Sequence, residues 1–235
     1  MPRRPNSAST AIAVARPLAR EFFARDPRLV AGELLGKLLV RREAEGTRAG
    51  RVVEVEAYLG AHDPAAHAAA GRTARNAVLF GPPGHAYVYF IYGNHFCLNV
   101  SCQPDGEAGC VLFRALEPVS GLELMAEARG LDHRHPHGKA ARQLTSGPGR
   151  LTQAFAITRS RDNGKDLTAS ESDLVLMDDR FRPGATAVTP RIGITKAASE
   201  LLRYAIAGNE FVSGRGRVAG ETTDDTEDTD KAEVD

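Results

Sequence analysis

The segment RVVEVEAYLG places two carboxylates and a phenol at every second position, namely Glu54, Glu56 and Tyr58. In a β-strand such side chains share one face, and neighbours on that face lie about 6.6 Å apart along the chain. A carboxylate that faces a pocket can act as a general base on water. The same pattern is typical of a solvated outer face, so these three residues alone leave both interpretations open.

The segment YVYFIYGNHFCLN holds three of the five tyrosines of a chain that has no tryptophan. Tyr87 and Tyr89 share one face of a predicted strand, whereas Tyr92 lies on the other face beside the turn Gly93-Asn94. The two faces of a hairpin tip cannot both be buried in the hydrophobic core. An aromatic ring exposed there is favoured when a nucleic-acid base stacks on it, which is worth about 1–3 kcal/mol. Tyr92 is therefore predicted to insert between bases.

A loop of small and basic residues, AHDPAAHAAAGRTARN, follows the acidic strand face. Arg72 and Arg75 flank Thr73 in this loop. Arginine, threonine and exposed main-chain N–H groups are typical contacts of phosphate groups. The loop is therefore a candidate contact for an anionic polymer, with an ordinary surface loop as the alternative.

The metal-binding patterns in this chain are weak. His133, His135 and His137 alternate around a proline without acidic or cysteine partners at ligand spacing, which is more typical of a polar loop. The three cysteines lack CxxC spacing, so we expect small buried side chains and neither a disulfide framework nor a zinc knuckle. A P-loop lysine pattern and the PCxxC segment of zinc deaminases are also missing. The sequence predicts no metal and no cofactor.

The spacing of apolar residues predicts the elements that carry these groups. A helix is predicted in PLAREFFARDPRLVAGELL, up to Leu35, followed by a strand in KLLVRR. The next strand alternates from Val53, with Val53, Val55 and Ala57 on its apolar side. A strand in AGCVLFRALEP is expected to end at Pro118. Further strands are predicted in AYVYFIY, HFCLNVS, DLVLMDD and PRIGIT, and helices in GLELMAEARGL and GPGRLTQAFAI.

Short strands mixed with short helices, without a regular βαβ alternation, predict an α+β fold. We expect a single compact domain with a curved, mostly antiparallel mixed sheet. The sheet would form a roll or partly open barrel flanked by helices, with the Gly93-Asn94 hairpin as a wedge. A chain of 235 residues with 42% hydrophobic residues is long enough for one such core. No long apolar span and no signal peptide is recognisable, so we expect a soluble, cytoplasmic protein.

The formal net charge of zero hides an uneven distribution. Residues 221–235 hold eight acidic residues against Lys231, so the other 29 basic and 22 acidic residues give the rest of the chain a charge of +7. We expect a flexible basic leader at 1–16, one catalytic domain at 17–219 and a disordered acidic tail at 220–235. The tail is either a solvating segment or a competitor for a cationic surface that binds a polyanion.

Five segments match a known family in order between residues 17 and 214. They are GRVVEVEAYLGAHDPAAH, RTARNAVLFGPPGHAYVYFIYGNHFCLNV, CVLFRALEP, SGPGRLTQAFAI and PRIGIT. Together they resemble the alkyladenine (3-methyladenine, or methylpurine) DNA glycosylase family. The resemblance implies a monofunctional enzyme that flips alkylated purines out of duplex DNA, with deaminated purines as a further candidate substrate. It would hydrolyse the N-glycosidic bond and so start base excision repair.

The same resemblance implies roles for individual residues. Glu56 matches the general base that activates the attacking water, and Arg114 and the main-chain carbonyl of Ile192 match the groups that position this water. Asn99 matches the residue that crowds the exocyclic amino group of guanine. The residues expected to sandwich and read the flipped base are Tyr58, His67 and Tyr89, and the expected DNA contacts are Tyr92, Asn94, His95, Arg72, Thr73, Arg75 and Arg150.

The expected partner is duplex DNA that contains damaged purines. We expect a monomer that acts at the nucleoid, without contact to a membrane. Two alternatives stay open. A catalytically silent nucleic-acid-binding module on the same scaffold has no use for Glu56 and Arg114. A nucleoside hydrolase that acts on small molecules has no use for Tyr92 or for the arginines around residue 72.

Overall fold

The computed structural model of the protein describes residues 12–91, 93, 95–132 and 138–213. The acidic tail and residues 1–11 of the predicted leader therefore lie outside the described residues. So do several residues singled out above, namely Tyr92, Asn94, His133, His135 and His137.

Nine strands of the described chain pair into one curled sheet, and each of their pairings is antiparallel. The strands are β1 (Arg16–Pro17), β2 (Leu38–Glu43), β3 (Gly46–Tyr58), β4 (Ala86–Ile91), β5 (His95–Cys102), β6 (Gly109–Ser120), β7 (Leu174–Asp178), β8 (Thr186–Pro190) and β9 (Leu201–Ile206). The order along the main path is β1-β7-β2-β3-β6-β5-β4, while β9 pairs with both β3 and β8. The predicted α+β fold with a curved antiparallel sheet in a single domain is confirmed.

Short helices cover one face of the sheet and the loops beside it. Val30, Met125 and Leu151 from three helices are fully buried against Val55 and Phe113 of the sheet, which forms the main core. The helices are α1 (Arg20–Phe23), α2 (Pro27–Leu34), α3 (Leu122–Ala128), α4 (Lys139–Thr145), α5 (Pro148–Ala154) and α6 (Arg159–Asp162), with 3₁₀ turns at Gly60–His62, His67–Ala70 and Ala77–Phe80. Within the described ranges, no helix is long and apolar enough to span a membrane.

The helix predicted up to Leu35 is in fact two helices, so that prediction is wrong. Pro27 lacks a backbone N–H and fits only the first turn of a helix, so α1 and α2 are separate. Asp26 caps α2 by accepting a hydrogen bond from the N–H of Arg28 at 2.8 Å. Arg16, which belongs to the predicted leader, pairs with Asp178 in the sheet.

The predicted alternation of β3 is wrong at its first position. The pairing of β3 with β6 shifts register on both sides of Glu54. A bulge of this kind inserts an extra residue and reverses the side to which the preceding side chains point. Val53 consequently packs with Ala115 and Ala205 in a second cluster, whereas Val55 packs in the main core with Ala57.

Two predicted strand ends also differ from the structure. β6 continues past Pro118 to Ser120, and Pro118 lies opposite Gly50 next to a register shift, where a missing N–H is tolerated. Only Pro190 of the segment PRIGIT belongs to a strand, so that strand prediction is wrong. Its remaining residues form a loop, and the main chain of this loop reaches the candidate site.

The hairpin of β4 and β5 is present as predicted, and Ile91 pairs with His95 at the end of the described ladder. The predicted two-residue turn includes Asn94, which lies outside the described residues. Gly93 has φ of 72°, which favours glycine in such a turn. The three free cysteines are buried, as expected.

Candidate active site

An aromatic-walled cavity of about 130 Å³ lies beside β3, β4 and β5. The strands define its walls, because Tyr58 ends β3 and Tyr87 and Tyr89 occupy alternate positions of β4. Asn99 on β5 is directly opposite Tyr87 in the sheet, and its Nδ2 donates to the Tyr87 carbonyl at 3.1 Å. The side chains of the lining include Tyr58, His67, Tyr87, Tyr89, Asn99 and Ile194.

The rings of the cavity pack against one another. The ring centroid of His67 lies 4.5 Å from that of Tyr89, edge to face, and its Nδ1 is 2.9 Å from the Tyr87 hydroxyl. Burial lowers the pKa of His67, and the guanidinium of Arg75 lowers it further, so the imidazole is neutral at neutral pH. Burial raises the pKa of Tyr87 to about 12. The cavity therefore presents uncharged aromatic groups to whatever enters it.

The carboxylate of Glu56 is fully buried next to this cavity, where it contacts the lining residue Tyr58. Its Oε1 forms an ion pair with Arg114 Nη1 at 3.0 Å and accepts a hydrogen bond from the main-chain N–H of Ile192 at 2.8 Å. Its Oε2 accepts from the hydroxyl of Tyr58, which lines the cavity, at 3.0 Å. Burial raises the pKa of Glu56, against the opposing effects of Arg114 and of the Ile192 N–H. The arrangement is that of a carboxylate with enhanced basicity, oriented by one ion pair and two hydrogen bonds.

A buried ion pair holds the two loops that flank the cavity. Arg191 donates to both oxygens of Asp63, at 2.5 and 2.9 Å, and both side chains are fully buried. The same guanidinium donates to the carbonyl of Ala57 at 3.0 Å and lies 4.6 Å from the ring centroid of Tyr58. Since Arg191 immediately precedes Ile192, this pair also fixes the N–H that reaches the buried carboxylate.

The basic loop after the cavity wall is organised by Asn76, which is buried. Its Oδ1 accepts from the N–H and the hydroxyl of Thr73, at 2.6 and 3.0 Å, and its Nδ2 donates to the carbonyls of His67 and Gly71. The side chains of Arg72 and Arg75 are left exposed. The guanidinium carbon of Arg75 lies 5.8 Å from the ring centroid of Tyr89, at the edge of the aromatic cluster.

A second, open depression lies on the other side of Arg114. Arg142 and Arg150 line it together with Arg114, and Arg150 is exposed at the start of α5. His95, at the base of the hairpin, packs on Gly149 of the same helix, where a Cβ would lie 3.0 Å from the imidazole ring. A neighbouring pocket, lined by Ile91 and His95 of the hairpin, shares Arg150 with this depression.

The sequence of the chain matches a known protein family. The sequence model of methylpurine-DNA glycosylase (MPG) matches residues 21–210 of the chain. The chain belongs to the methylpurine-DNA glycosylase family. Membership makes the protein a DNA glycosylase, a hydrolase that cleaves N-glycosyl bonds, and it confirms the family indicated by the sequence motifs.

Curated relatives of high identity match over nearly their full length. A protein of Koribacter versatilis is 61% identical over 206 residues, which cover 88% of this chain and 97% of the relative. A protein of Burkholderia lata is 50% identical over 198 residues (84% and 91%), and one of Methanoculleus marisnigri is 48% identical over 200 residues (84% and 99%). The name of each assigns it to the 3-methyladenine DNA glycosylases.

The structure of this glycosylase brings together most of the residues singled out in the sequence. Glu54 and Glu56 are both fully buried, so the interpretation of this strand face as solvated is wrong. The contact that Ile192 makes with Glu56 comes from its N–H. Four predicted residues lie at the cavity, namely Tyr58, His67, Tyr89 and Asn99, and Arg72, Thr73 and Arg75 lie on the adjacent loop. Arg150 lines the second depression, and it also lines a neighbouring pocket together with His95.

Sequence reasoning missed several residues that build the site. Tyr87 shares its strand face with Tyr89, so the alternation on β4 contained the signal for its place in the cavity. Asp63 and Arg191 are 128 positions apart, and no local pattern indicates their pairing. Within the described ranges, no group of three or more histidine, cysteine or acidic side chains is arranged to hold a metal ion.

Proposed function

We propose that this glycosylase excises alkylated purines, 3-methyladenine among them, from duplex DNA with a water molecule activated by Glu56. The observation that carries the proposal is the fully buried Glu56 carboxylate, hydrogen-bonded to a tyrosine hydroxyl of the aromatic cavity. The damaged nucleotide is rotated out of the duplex so that its base enters the cavity. Damaged bases pair and stack less well, which lowers the cost of this rotation.

One carboxylate suffices for the chemistry of a charged base. A purine alkylated at a ring nitrogen carries positive charge, so the base departs as a neutral molecule with the electron pair of its bond to C1′. The oxygen of water forms the new bond to C1′, and Glu56 takes the proton from that water. Its raised pKa makes Glu56 a better proton acceptor, and Arg114 and Ile192 keep the carboxylate oriented.

The cavity selects by ring contact and by shape. The faces of Tyr58 and Tyr89 attract a cationic base by about 0.5–2 kcal/mol. His67 is neutral and therefore does not repel that cation. Asn99 is tied to the Tyr87 carbonyl, so its side chain resists displacement by the extra amino group of guanine. These features favour alkylated adenine over normal guanine.

DNA binding is assigned to the cationic loop and the hairpin. Arg72, Thr73 and Arg75 are placed to contact phosphates beside the cavity, and Arg150 to do so along the second depression. The hairpin residues proposed to meet the duplex are Tyr92, Asn94 and His95, of which the first two lie outside the described residues. Since one chain supplies the carboxylate, the cavity and the loop, we propose a monomer that acts on chromosomal DNA in the cytoplasm.

Charged lesions are expected to be released much faster than neutral ones. Single-turnover release of 3-methyladenine and 7-methylguanine should exceed that of hypoxanthine in the same duplex by about 100-fold or more, the effect of a missing general acid. The physical reason is that hypoxanthine needs a proton to depart, while His67 is neutral and burial raises the pKa of Tyr87. Undamaged duplex is the control. Failure to release any alkylated purine contradicts the proposed function.

Base excision should be lost at low pH. Catalysis needs the ionised form of Glu56, and burial raises the pKa of this carboxyl above its ordinary value of 4.5. The rate should therefore fall as the pH decreases, beginning above the range in which an exposed glutamate takes a proton. The measurement is the single-turnover rate for 3-methyladenine between neutral and acid pH. His67→Asn is the control, since a fall that disappears in this variant would assign the titration to the histidine.

A further inference from the structure

A second carboxylate, Glu54, lies beside Glu56 without reaching the cavity lining. It is fully buried, and its Oε1 accepts hydrogen bonds from Arg114 Nε at 3.0 Å and from Arg203 Nε at 2.6 Å. Its Oε2 accepts from the main-chain N–H of Ser213 at 2.6 Å. Three donors therefore converge on this side chain, two of them from guanidinium groups.

We propose that Glu54 is a positioning residue for base excision, which fixes Arg114 so that its guanidinium holds the Glu56 carboxylate in the reactive orientation. The proposal rests on the proposed function of Glu56. It extends that function to a residue that neither the cavity nor the family comparison indicates.

Arg114 bridges the two carboxylates with different nitrogens of one group. Its Nε donates to Glu54 and its Nη1 contacts Glu56 Oε1 at 3.0 Å. The guanidinium is rigid and planar, so two fixed nitrogens determine the orientation of the whole group. With Glu54 removed, the side-chain contacts of Arg114 with other described residues are the one to Glu56 and a long one of 3.4 Å to the Ser213 hydroxyl. The position of Arg114 against Glu56 thus depends on Glu54.

Arg203 anchors Glu54 from the opposite side. Its Nη1 donates to Thr189 Oγ1 at 2.9 Å and its Nη2 to the Ser213 carbonyl at 3.2 Å. These contacts tie β8, β9 and the segment after β9 to the same carboxylate. Glu54 is therefore held in place independently of Arg114, as a positioning group must be.

The charges of this network balance as two carboxylates and two guanidinium groups. Removal of the negative charge of Glu54 should lower the pKa of Glu56. Removal of the positive charge of Arg203 should raise it. Glu54 lies two positions from Glu56 on the same strand, and Arg203 is the partner of Glu56 across β3 and β9. At the separation of about 6–7 Å typical of such neighbours and an effective dielectric constant of about 20, the pKa shift is about 1–2 units. Other groups of the described residues that act on Glu56 are Arg114, Tyr58 and Cys97, together with the N–H of Ile192.

The test compares Glu54→Gln and Arg203→Gln in the full chain. The single-turnover rate of 3-methyladenine release is measured from neutral to acid pH. Glu54→Gln should lower the plateau rate by about 10- to 100-fold, the cost of a misplaced catalytic group. We call the fall of this rate at acid pH the acid limb. Glu54→Gln should move the acid limb to lower pH, whereas Arg203→Gln should move it to higher pH. Affinity for the damaged duplex should change less than the rate in both variants.

Stability is controlled with Asp162→Asn. Asp162 is another fully buried carboxylate, paired with Arg41 away from the cavity, and its loss should leave the acid limb in place. Acid limbs that stay in place, or that move in the same direction in both variants, overturn the proposal. If Glu54→Gln does not fold, the direction in which the acid limb moves in Arg203→Gln is the deciding result. If Glu56→Gln excises the base at the wild-type rate, the proposed function is overturned instead. This outcome distinguishes failure of the proposed function from failure of the role proposed for Glu54.

Discussion

Glu56→Gln is expected to abolish base release and to leave binding of the damaged duplex intact. Glutamine has the size of glutamate and keeps one oxygen that can accept from Arg114 and Ile192, but it cannot take a proton from water. Loss of a general base slows a reaction by about 10²- to 10⁴-fold. The measurement pairs single-turnover release of 3-methyladenine with fluorescence anisotropy on the same duplex.

The control for this substitution is Glu117→Gln on β6. Glu117 is partly exposed and accepts a hydrogen bond from Asn209, so the same chemical change is made outside the site. Its rate should equal that of the wild type. Normal excision by Glu56→Gln would remove this carboxylate from the mechanism, and loss of duplex binding in the variant would assign Glu56 to recognition.

Asp63→Asn is expected to lower the free energy of unfolding by about 3–5 kcal/mol, because it removes the hydrogen-bonded counter-charge of a buried guanidinium. Among the described residues, the other acidic contact of Arg191, with the half-exposed Glu200, is 4.0 Å long. Arg191 and Asp63 are both fully buried, so water cannot replace the lost partner. Base release should also slow at temperatures where the variant is folded, since Arg191 supports Tyr58 and the N–H of Ile192. Denaturant unfolding measures the first effect and single-turnover excision the second.

A matched control comes from an exposed pair of the same chemistry. Glu33 contacts Arg25 at 2.9 Å with more than half of its side chain exposed, and Glu33→Gln should cost only about 0–1 kcal/mol. A cost of similar size for Asp63→Asn would show that the buried pair does not hold the loops. Unchanged excision by a destabilised variant would limit the pair to a role in stability.

The sequence predicted the parts of the site that local periodicity or family motifs encode. Alternation placed Tyr87 and Tyr89 on one face of β4, and the motifs placed Glu56 beside Tyr58 on one strand. The burial of Glu54 could not be predicted in this way, since its partners Arg114 and Arg203 lie 60 and 149 positions away. Alternating carboxylates are equally typical of a solvated strand face. Here they are buried because arginines that are distant in the sequence pair with them.

Backbone irregularities account for most of the remaining differences. The bulge around Glu54 moved Val53 into a different cluster, and apolar periodicity contains no signal for such an insertion. The segment PRIGIT has the composition of a strand, yet Arg191 and Ile192 are held as a loop by Asp63 and Glu56. In both places tertiary contacts override the local preference of the chain.

β3 has hydrogen-bonded neighbours on both of its edges where it carries the two carboxylates. β6 pairs along one edge, and Glu54 and Glu56 pair with Ala205 and Arg203 of β9 on the other. Segments that lack such ladders open locally at a lower free-energy cost, and the loops that carry His67 and Ile194 are segments of this kind. We therefore expect the segment of β3 that carries Glu56 to keep its strand pairing during every partial opening that admits or releases a base. This pairing should be lost only when the molecule unfolds as a whole.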